Sequence, residues 1–551
     1  MKKINKAKWL EVLVYILLSF MVSYIAINGL TPFRVPADGQ IHLARYEQVF
    51  QSLHHVSIPS EISFIGPGHN LNAVVSCYPW LGGLIFILPR FIFFKHIMLA
   101  ILSGFWLINL LTALAMYYLV RTLGCNSRVL RVCLVSYWLF NSYHLNLLYF
   151  RMAFGEFLAY AYLPLVVAGL LKIYRKERSG IIPLVIGMSG IANSHLLSLL
   201  IVTIGISICE LFRIILKKIS KFEFVALLIS AVCSLLLSAY SLWGVFYIQA
   251  NNSVIAPFKS LINVNIKDSL QTQLSGIITQ NSSMWGIGLI GLVLLLVFLL
   301  LSIKIKPIRP YMLLCILILI ITYIPFANHS ELIQSFGVIQ FTGRLLTYVV
   351  LFQVIAMALY FKQADGLFIQ LISVVTMCLL VCLGSVSVVK HEMGRTQEDD
   401  SLASYVYSIN SSNYQKEIQA PNYNNFNDYL PGNGVIGTGK VYPYNDSWIS
   451  LTQIHGTYNQ AVFRIISSKA GMSSLALAKY KGISYSVELN EKPISIANTN
   501  GYFKLALPKG VSYLKVSSNP TIITKILFIL SCLSYGVFGA YLIKYMKKKM
   551  V

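Results

Sequence analysis

Residues 286–303 read GIGLIGLVLLLVFLLLSI, a stretch without a charged side chain. A hydrocarbon core about 30 Å thick is crossed by about 20 apolar residues in helical conformation, and the run lacks the alternation of a barrel strand. Comparable runs occur at 225–248, 312–326, 367–389 and 522–542. Only helices and closed barrels satisfy their backbone groups in lipid, so these runs predict a polytopic helical membrane protein.

The composition supports the same class. Of 551 residues, 56% are hydrophobic and 12% are charged, and the mean hydropathy is +0.67; soluble domains carry roughly a quarter charged residues. No small-residue cleavage site follows the first apolar run, so we expect a retained helix rather than a signal sequence. About twelve spanning helices are predicted in total, with both termini cytoplasmic. They are placed at 9–29, 97–119, 129–148, 155–174, 180–193, 196–215, 223–247, 284–303, 311–327, 344–361, 366–389 and 522–544.

Basic residues are unevenly distributed along the chain. The formal net charge is +24, from 44 lysines and arginines against 20 acidic residues. More than half of the basic residues fall in short segments on one side of the predicted topology, among them 121–131, 172–178 and 213–221. This is the positive-inside bias of membrane proteins. The expected partners of this charge are anionic membrane lipids, and nucleic acid is not expected as a partner.

Polar segments divide the chain into three predicted parts. Residues 1–389 form an all-α membrane domain whose first two helices are joined by a long extracytoplasmic loop, 30–96. Residues 390–521 are rich in Asn, Ser and Tyr, and their later part alternates and turns as β-strands do. This predicts a β-rich, sandwich-like extracytoplasmic domain, followed by a last helix and a basic cytoplasmic tail at 522–551. Strands are expected at 484–489, 494–497 and 502–507.

The stretch 79–94 allows two interpretations. It is apolar but interrupted by Pro89 and Arg90, so it is either a thirteenth span or a helix lying at the outer membrane interface. A thirteenth span would move the basic segment 121–131 to the outside, against the charge rule. We therefore expect an interfacial helix.

The first long loop carries a candidate site. Apolar residues repeat at helical spacing from Leu43 to Leu53, and Asp38, His42 and Arg45 fall together on an adjoining face. This predicts an amphipathic helix at the outer membrane surface. A carboxylate there can serve as general base for a hydroxyl nucleophile, and an arginine can hold a phosphate. In the alternative interpretation, Asp38 caps the helix and the other two side chains are solvated.

Four further polar residues are predicted at the same side of the membrane. Arg151, Glu156, His195 and Arg344 come from separate stretches, yet each falls at the outer end of a predicted helix. Ionisable residues near membrane segments often mark functional sites. The structural alternatives are that the arginines anchor helix ends to lipid headgroups, that Glu156 pairs with Arg151, and that His195 caps its turn.

Metal and cofactor binding have little support in the sequence. His54, His55 and His69 are the residues that suggest a metal, but their spacing across a loop is not that of a metal site. A divalent metal is therefore not indicated, and the cofactor requirement is unknown.

Several short motifs resemble those of one superfamily of membrane enzymes. They are Asp38-Gly-Gln-Ile-His-Leu-Ala-Arg45, Tyr78-Pro-Trp-Leu81, Arg151-Met-Ala-Phe-Gly-Glu156, Ser194-His-Leu196 and Gln340-Phe-Thr-Gly-Arg-Leu345. With the long first loop, they resemble the GT-C superfamily of membrane glycosyltransferases and, more closely, the bacterial YfhO-type multipass proteins. Where those proteins often carry Pro-Trp before the arginine, this chain has Thr342-Gly343.

The resemblance implies a fold and a reaction. It implies a GT-C-like membrane domain that takes a polyprenyl-phosphate-linked sugar at the outer face and transfers it to an envelope glycan or glycolipid. Asp38 is the implied catalytic residue. The implied substrate-binding residues are His42, Arg45, Arg151, Glu156, His195 and Arg344.

Two other functions remain open at this stage. A transporter or flippase for a lipid or glycan would need a polar route through the membrane midplane, for which the sequence offers little. A non-catalytic envelope assembly protein would use the β-rich domain to bind glycans or partner proteins. It would tolerate replacement of Asp38, Arg151 and Arg344 together.

Overall fold

The computed structural model describes residues 6–27, 33–66, 69–255, 257, 259–326, 330–394, 407–419, 428–432 and 445–550. The α-helices are α1 (Lys6–Ile27), α2 (Ala37–His54), α3 (Val74–Cys77), α4 (Leu84–Ile92), α5 (Ile97–Leu123), α6 (Arg128–Phe140), α7 (Ser142–Leu145), α8 (Phe154–Tyr174), α9 (Ile181–Ala192), α10 (Leu196–Ile215), α11 (Lys221–Asn251), α12 (Ile266–Leu274), α13 (Leu289–Lys304), α14 (Arg309–Tyr323), α15 (Ser330–Phe336), α16 (Leu346–Phe361), α17 (Leu367–Gly394), α18 (Tyr414–Gln419) and α19 (Ile522–Met550). The strands are β1 (Phe33–Val35), β2 (Leu261–Ile262), β3 (Gln340–Phe341), β4 (Tyr407–Ile409), β5 (Ile449–Gly456), β6 (Gln460–Ser467), β7 (Gly471–Ala478), β8 (Tyr485–Leu489), β9 (Lys492–Pro493), β10 (Ala497–Thr499), β11 (Tyr502–Leu507) and β12 (Gly510–Ser518).

Long apolar helices dominate the described part of the chain. By length and composition, nine helical segments there can cross a membrane, which makes the chain a multipass membrane protein, as predicted. They are Ile97–Leu123, Phe154–Tyr174, Leu196–Ile215, Lys221–Asn251, Ser282–Lys304, Lys306–Tyr323, Thr342–Phe361, Leu367–Val389 and Ile522–Lys547. Two of the other predicted spans correspond to shorter apolar helices, Trp9–Ile25 and Arg178–Ala192.

The predicted helix 129–148 is interrupted in the middle. α6 ends at Phe140, and the side-chain oxygen of Asn141 accepts a hydrogen bond from the backbone N–H of His144 at 3.1 Å. Asn141 therefore caps a new turn instead of continuing the helix. A π-helical turn, Asn146–Phe150, follows directly. Such turns are rare and are often found at functional sites.

Burial separates central from peripheral helices. The apolar windows of α5, α8 and α16 are 61–67% buried, whereas those of α10 and α19 are 6% buried. α5, α8 and α16 therefore form the centre of the helical region. Most of the surface of α10 is available to lipid.

A buried ion pair joins α1 to α6. Arg131 donates hydrogen bonds from Nε and Nη2 to the two carboxylate oxygens of Glu11, each at 2.7 Å. The hydroxyl of Tyr15 donates to the same carboxylate at 2.9 Å. The two side chains are about 95% buried and satisfy each other.

Substitution of Glu11 should reveal the cost of the unpaired guanidinium. Glu11→Gln is expected to destabilise the fold by roughly 3–5 kcal/mol, because Arg131 stays buried without its counter-charge. The measurement is the thermal unfolding midpoint of the purified protein. Glu177→Gln is the matched control, since its pair with Lys172 is partly exposed and exposed pairs contribute about 0–1 kcal/mol. Equal midpoints for the two variants would contradict a stabilising role for the buried pair.

Helix α2 is covered by a distant part of the chain. β1 pairs antiparallel with β4, with Val35 opposite Tyr407. Gln40 donates from Nε2 to the carbonyl of Glu417 in α18 at 3.1 Å. α2 is consequently buried along most of its length, whereas the sequence predicted an amphipathic helix at the membrane surface. Its cover comes from residues almost 400 positions away, so the local pattern could not reveal it.

The C-terminal β region, residues 445–518, consists of two antiparallel sheets. One has the strand order β5-β6-β12-β8-β9 and the other β10-β11-β7. Their inward side chains form one core that includes Phe463, Ile465, Leu475, Leu477, Phe503, Leu505, Leu514 and Val516. Of the three predicted strands, those at 484–489 and 502–507 match β8 and β11. The third, predicted at 494–497, overlaps the observed strand β10 only at Ala497. The predicted domain boundary at residues 389–390 falls inside α17. Beyond it, β4 pairs with β1 and α18 packs on α2.

Candidate functional site

Glu156 is the centre of a buried charge cluster. Its Oε2 atom lies 2.9 Å from Nη1 of Arg151 and 3.4 Å from Nε of Arg344. Its Oε1 atom accepts a hydrogen bond from the hydroxyl of Tyr143 at 2.6 Å. The three predicted residues of this cluster therefore meet, from three separate elements. One carboxylate serves two guanidinium groups, so the cluster carries net positive charge.

Irregular backbone positions Arg151. The π-helical turn Asn146–Phe150 ends at Arg151, and the next residue, Met152, has a φ of +47°. This left-handed conformation is uncommon for a residue with a side chain and persists where surrounding contacts compensate. Here the guanidinium lies 4.5 Å above the ring of Trp285 and forms its ion pair with Glu156. The cation–π contact and the ion pair together offset the strain.

Irregular backbone and a close contact with Trp285 also position Arg344. Four residues before it, Gln340 has a φ of +61°. A Cβ atom on Gly343 would lie 2.6 Å from the ring of Trp285, so only glycine permits this close approach. The Nη1 group donates to the carbonyl of Ile339 at 3.1 Å. The buried Nε group makes no hydrogen bond among the described residues, but it is the atom that lies 3.4 Å from Oε2 of Glu156, so the ion pair engages it.

Asp38 differs from Glu156 in its surroundings. It lies in the first turn of α2, and its side chain is exposed to solvent. Neighbouring protein atoms nevertheless displace part of the water around its carboxyl group. This partial dehydration raises the pKa of the Asp38 carboxyl. The positive charges of Arg151 and Arg344 act in the opposite direction, whereas Glu156 raises the pKa further. Asp38 is thus an accessible carboxyl group beside a positively charged cluster.

His42 and Arg45 lie in the wall beside this cluster. Nη1 of Arg45 donates to the carbonyls of Tyr78 at 2.6 Å and Pro79 at 3.1 Å. Its Nη2 group is 3.0 Å from Nδ1 of His42. Burial and the neighbouring guanidinium lower the pKa of His42 well below its usual value, so the imidazole is neutral and accepts this hydrogen bond. These contacts brace the Tyr78–Pro79 turn.

His195 caps α10, as the structural alternative expected. Its Nδ1 atom accepts from the backbone N–H of Ser198 at 3.4 Å and lies 2.8 Å from the Ser198 hydroxyl. Burial, then the charge of Arg344, lower the pKa of His195 to about 3. The imidazole is therefore neutral at physiological pH. The same side chain lines the cavity described next.

A small, partly open cavity adjoins the charge cluster. Glu156, His195 and Arg344 border its polar end, and side chains such as Leu163 and Val202 form its apolar part. The cavity lies between the central helices α8 and α16 and the peripheral helix α10. It combines a cationic end with an apolar interior next to a helix that faces lipid.

Three contributors to the site were missed by sequence reasoning. Tyr143 holds Glu156, Trp285 holds Arg151, and Tyr348 lines the cavity. Aromatic residues are frequent in apolar helices, so no sequence signal distinguished these three. Within the described residues, no three His, Cys, Asp or Glu side chains are grouped as metal ligands. His69 instead contacts the carbonyl of Gln419 at 2.6 Å.

The fold and the cluster together define a class: a multipass helical membrane protein that carries a buried cluster of charged side chains and a C-terminal β-sheet region. No protein-family model and no curated protein matches the chain.

Gly39 provides a test of how Asp38 is placed. A Cβ atom on Gly39 would lie 2.6 Å from Cγ1 of Val35 and 2.7 Å from Sδ of Met152. Gly39→Ala is expected to lower the thermal unfolding midpoint, with a cost of roughly 1–3 kcal/mol from overpacking. Gly205→Ala is the control, because its Cβ atom would meet no other atom within 4 Å and alanine favours helix. A midpoint for Gly39→Ala at or above that of Gly205→Ala would disprove the tight packing.

Proposed function

We propose that the protein is a membrane glycosyltransferase that transfers a sugar from a polyprenyl-phosphate donor to a cell-envelope glycan or glycolipid. The observation that carries the proposal is the grouping of Arg151 and Arg344 around one carboxylate, between an exposed Asp38 and an apolar cavity. The GT-C-like motifs in the sequence support the same reaction.

The arginines suit a phosphate leaving group. Glu156 neutralises one positive charge of the pair, so one positive charge remains, and Arg344 borders the cavity. Guanidinium groups bind phosphate oxygens through paired, charge-assisted hydrogen bonds. A departing lipid phosphate needs stabilisation of its negative charge rather than protonation, which these groups provide.

The cavity suits a lipid-linked donor rather than a soluble nucleotide sugar. Its interior is largely apolar, and it borders α10, in which Val202 is the only buried residue. In this arrangement the prenyl chain lies along the exposed face of α10, in the membrane, while its phosphate lies at the Arg344 end of the cavity. The donor then reaches the site from the membrane itself.

Asp38 supplies the base in this reaction. Its carboxylate accepts the proton of the acceptor hydroxyl, and the hydroxyl oxygen forms a bond to the anomeric carbon. The bond from that carbon to the phosphate oxygen breaks, and the lipid phosphate leaves as an anion held by the two arginines. A single displacement of this kind inverts the anomeric configuration. His42 and Arg45 support it by holding the Tyr78–Pro79 wall.

The proposal includes a topology. Twelve spans in a GT-C-like arrangement, with both termini cytoplasmic, would put the site and the β region outside the cell membrane. The basic short segments on the opposite side support this orientation. An extracytoplasmic site would give access to an envelope acceptor, and anionic membrane lipids would contact the cytoplasmic side.

Replacement of Asp38 tests the base. Asp38→Asn should reduce transfer from synthetic polyprenyl-phosphate hexoses by roughly 10²–10⁴-fold, because a general base of this kind contributes that much. Transfer is measured with the full-length protein in lipid nanodiscs, and the control is Glu177→Gln. In cells lacking the gene, wild type should restore the sugar on the envelope polymer and Asp38→Asn should not, at equal abundance. Full restoration by the variant would refute the role of Asp38.

Replacement of Arg344 tests the phosphate site. Arg344→Gln should weaken binding of polyprenyl monophosphate by at least about tenfold, since a charge-assisted hydrogen bond contributes roughly 1.5–3 kcal/mol. Binding is measured by intrinsic fluorescence in nanodiscs, with Arg175→Gln, an exposed arginine, as the matched control. If the two variants bind polyprenyl monophosphate with equal affinity, Arg344 does not bind the phosphate. Transport of the lipid across vesicles without a glycosyl product would favour the transporter alternative.

A further inference from the structure

Helix α12 exposes its apolar face. Asn265 caps the start of the helix, because its side-chain oxygen accepts hydrogen bonds from two backbone N–H groups of the first turn. Ile266, Leu270 and Leu274 follow at four-residue spacing and therefore form one stripe along the helix. These three side chains are 41–66% exposed. A helix on the surface of a soluble domain turns such a stripe toward the core, so α12 has the opposite orientation.

The polar side of α12 is the buried one. The hydroxyl of Ser269 donates to the carbonyl of Trp285 at 2.7 Å, and Oε1 of Gln273 accepts from the backbone N–H of Gly288 at 2.9 Å. Both polar side chains are buried, and a Cβ atom on Gly286 would overlap the side chain of Gln273. A rotation of the helix that buried its apolar stripe would leave these buried polar groups without partners, which is costly.

The ends of two membrane spans fix the depth of α12. Trp285, to which the helix is hydrogen-bonded, lies at the beginning of the spanning segment Ser282–Lys304. Just after α12, the carbonyl of Gly276 accepts a hydrogen bond from the hydroxyl of Ser387, close to the end of the span Leu367–Val389. The helix therefore lies beside the ends of two spans, at the level where the hydrocarbon core gives way to the headgroup region.

We propose that α12 is an interfacial helix whose partner is the lipid membrane, with the stripe of Ile266, Leu270 and Leu274 inserted among the lipids. Interfacial helices lie in the plane of the membrane with their apolar face about 5–10 Å into the boundary between headgroups and acyl chains. The surface of the adjoining span continues the stripe, since Leu296 and Leu300 of α13 are exposed to lipid in the same way. The membrane therefore covers both surfaces.

Trp285 connects this helix to the charge cluster. Its ring lies 4.5 Å below the guanidinium of Arg151 and in close contact with Gly343. Because Ser269 of α12 holds the carbonyl of Trp285, insertion of the helix sets the position of the indole relative to the membrane. The cationic cluster is thereby held near the level of the lipid phosphates. The use of this position for a lipid-linked donor rests on the proposed function, whereas the insertion itself does not.

Photolabelling from the lipid phase tests the insertion on the unmodified chain. The full-length protein is placed, one copy per nanodisc, in phosphatidylcholine that carries a diazirine in its acyl chain, and the adducts are mapped by peptide mass spectrometry. Adducts are expected at Ile266, Leu270 and Leu274 but not at Gln271, which is exposed on a different side of the helix. Leu296 in α13 is the internal control for lipid contact. Adducts at Leu296 without any in α12 would overturn the proposal.

Two neighbouring cysteine variants give an independent measurement. A membrane-impermeant maleimide should modify Gln271→Cys readily in nanodiscs and Leu270→Cys at least about tenfold more slowly, because a polar reagent does not reach a side chain inserted among acyl chains. Equal rates at these two exposed positions would overturn the proposal. Cross-links between residues 266–277 of two copies in native membranes, in place of lipid adducts, would assign the stripe to a second copy and also overturn it. Neither readout requires turnover, so absence of glycosyl transfer would refute the proposed function alone.

Discussion

The sharing of Glu156 between two arginines is the interaction on which the site depends. A guanidinium group taken out of water needs a counter-charge and satisfied donors. Glu156 and Tyr143 supply part of this at the cluster, and the ring of Trp285 supplies more for Arg151. One carboxylate faces two guanidinium groups, so one positive charge of the cluster is left uncompensated by Glu156. The folded protein therefore contains a cationic position with a capacity for one more anion, at the end of a cavity.

This cluster also explains two departures from regular helical geometry. Met152 and Gln340 both have positive φ angles, next to Arg151 and close to Arg344. Each departure costs of order 1–3 kcal/mol, and neither would persist without interactions that hold it. The ion pairs and the close contact of Gly343 with Trp285 provide them. Regular helices in these two places would carry the guanidinium groups away from Glu156.

Much of the helical region could be predicted from the sequence, because spans such as 97–119 and 344–361 depend on local hydrophobicity alone. The meeting of Arg151, Glu156 and Arg344 could be expected too, since each falls at the same end of a predicted helix. Interactions between distant segments could not be predicted. The packing of α18 on α2 and the pairing of Tyr429 with Ile255 depend on contacts between residues far apart in the chain. Such contacts produce no periodic pattern in the sequence. The interruption at Asn141 was missed because a capping side chain inside an apolar run looks like any polar residue.

The two carboxylates of the proposed reaction illustrate how surroundings assign roles. Glu156 is enclosed by two guanidinium groups and a tyrosine hydroxyl, so its lone pairs are committed and it cannot accept a proton from a substrate. Asp38 is exposed and dehydrated only in part, and its proton affinity is raised. When their surroundings give two carboxyl groups different proton affinities, one can serve a structural role and the other a chemical one. Because α18 packs on α2, the helix that carries Asp38, a segment almost 400 residues away contributes to these surroundings. The chemistry proposed for Asp38 therefore depends on distant parts of the chain.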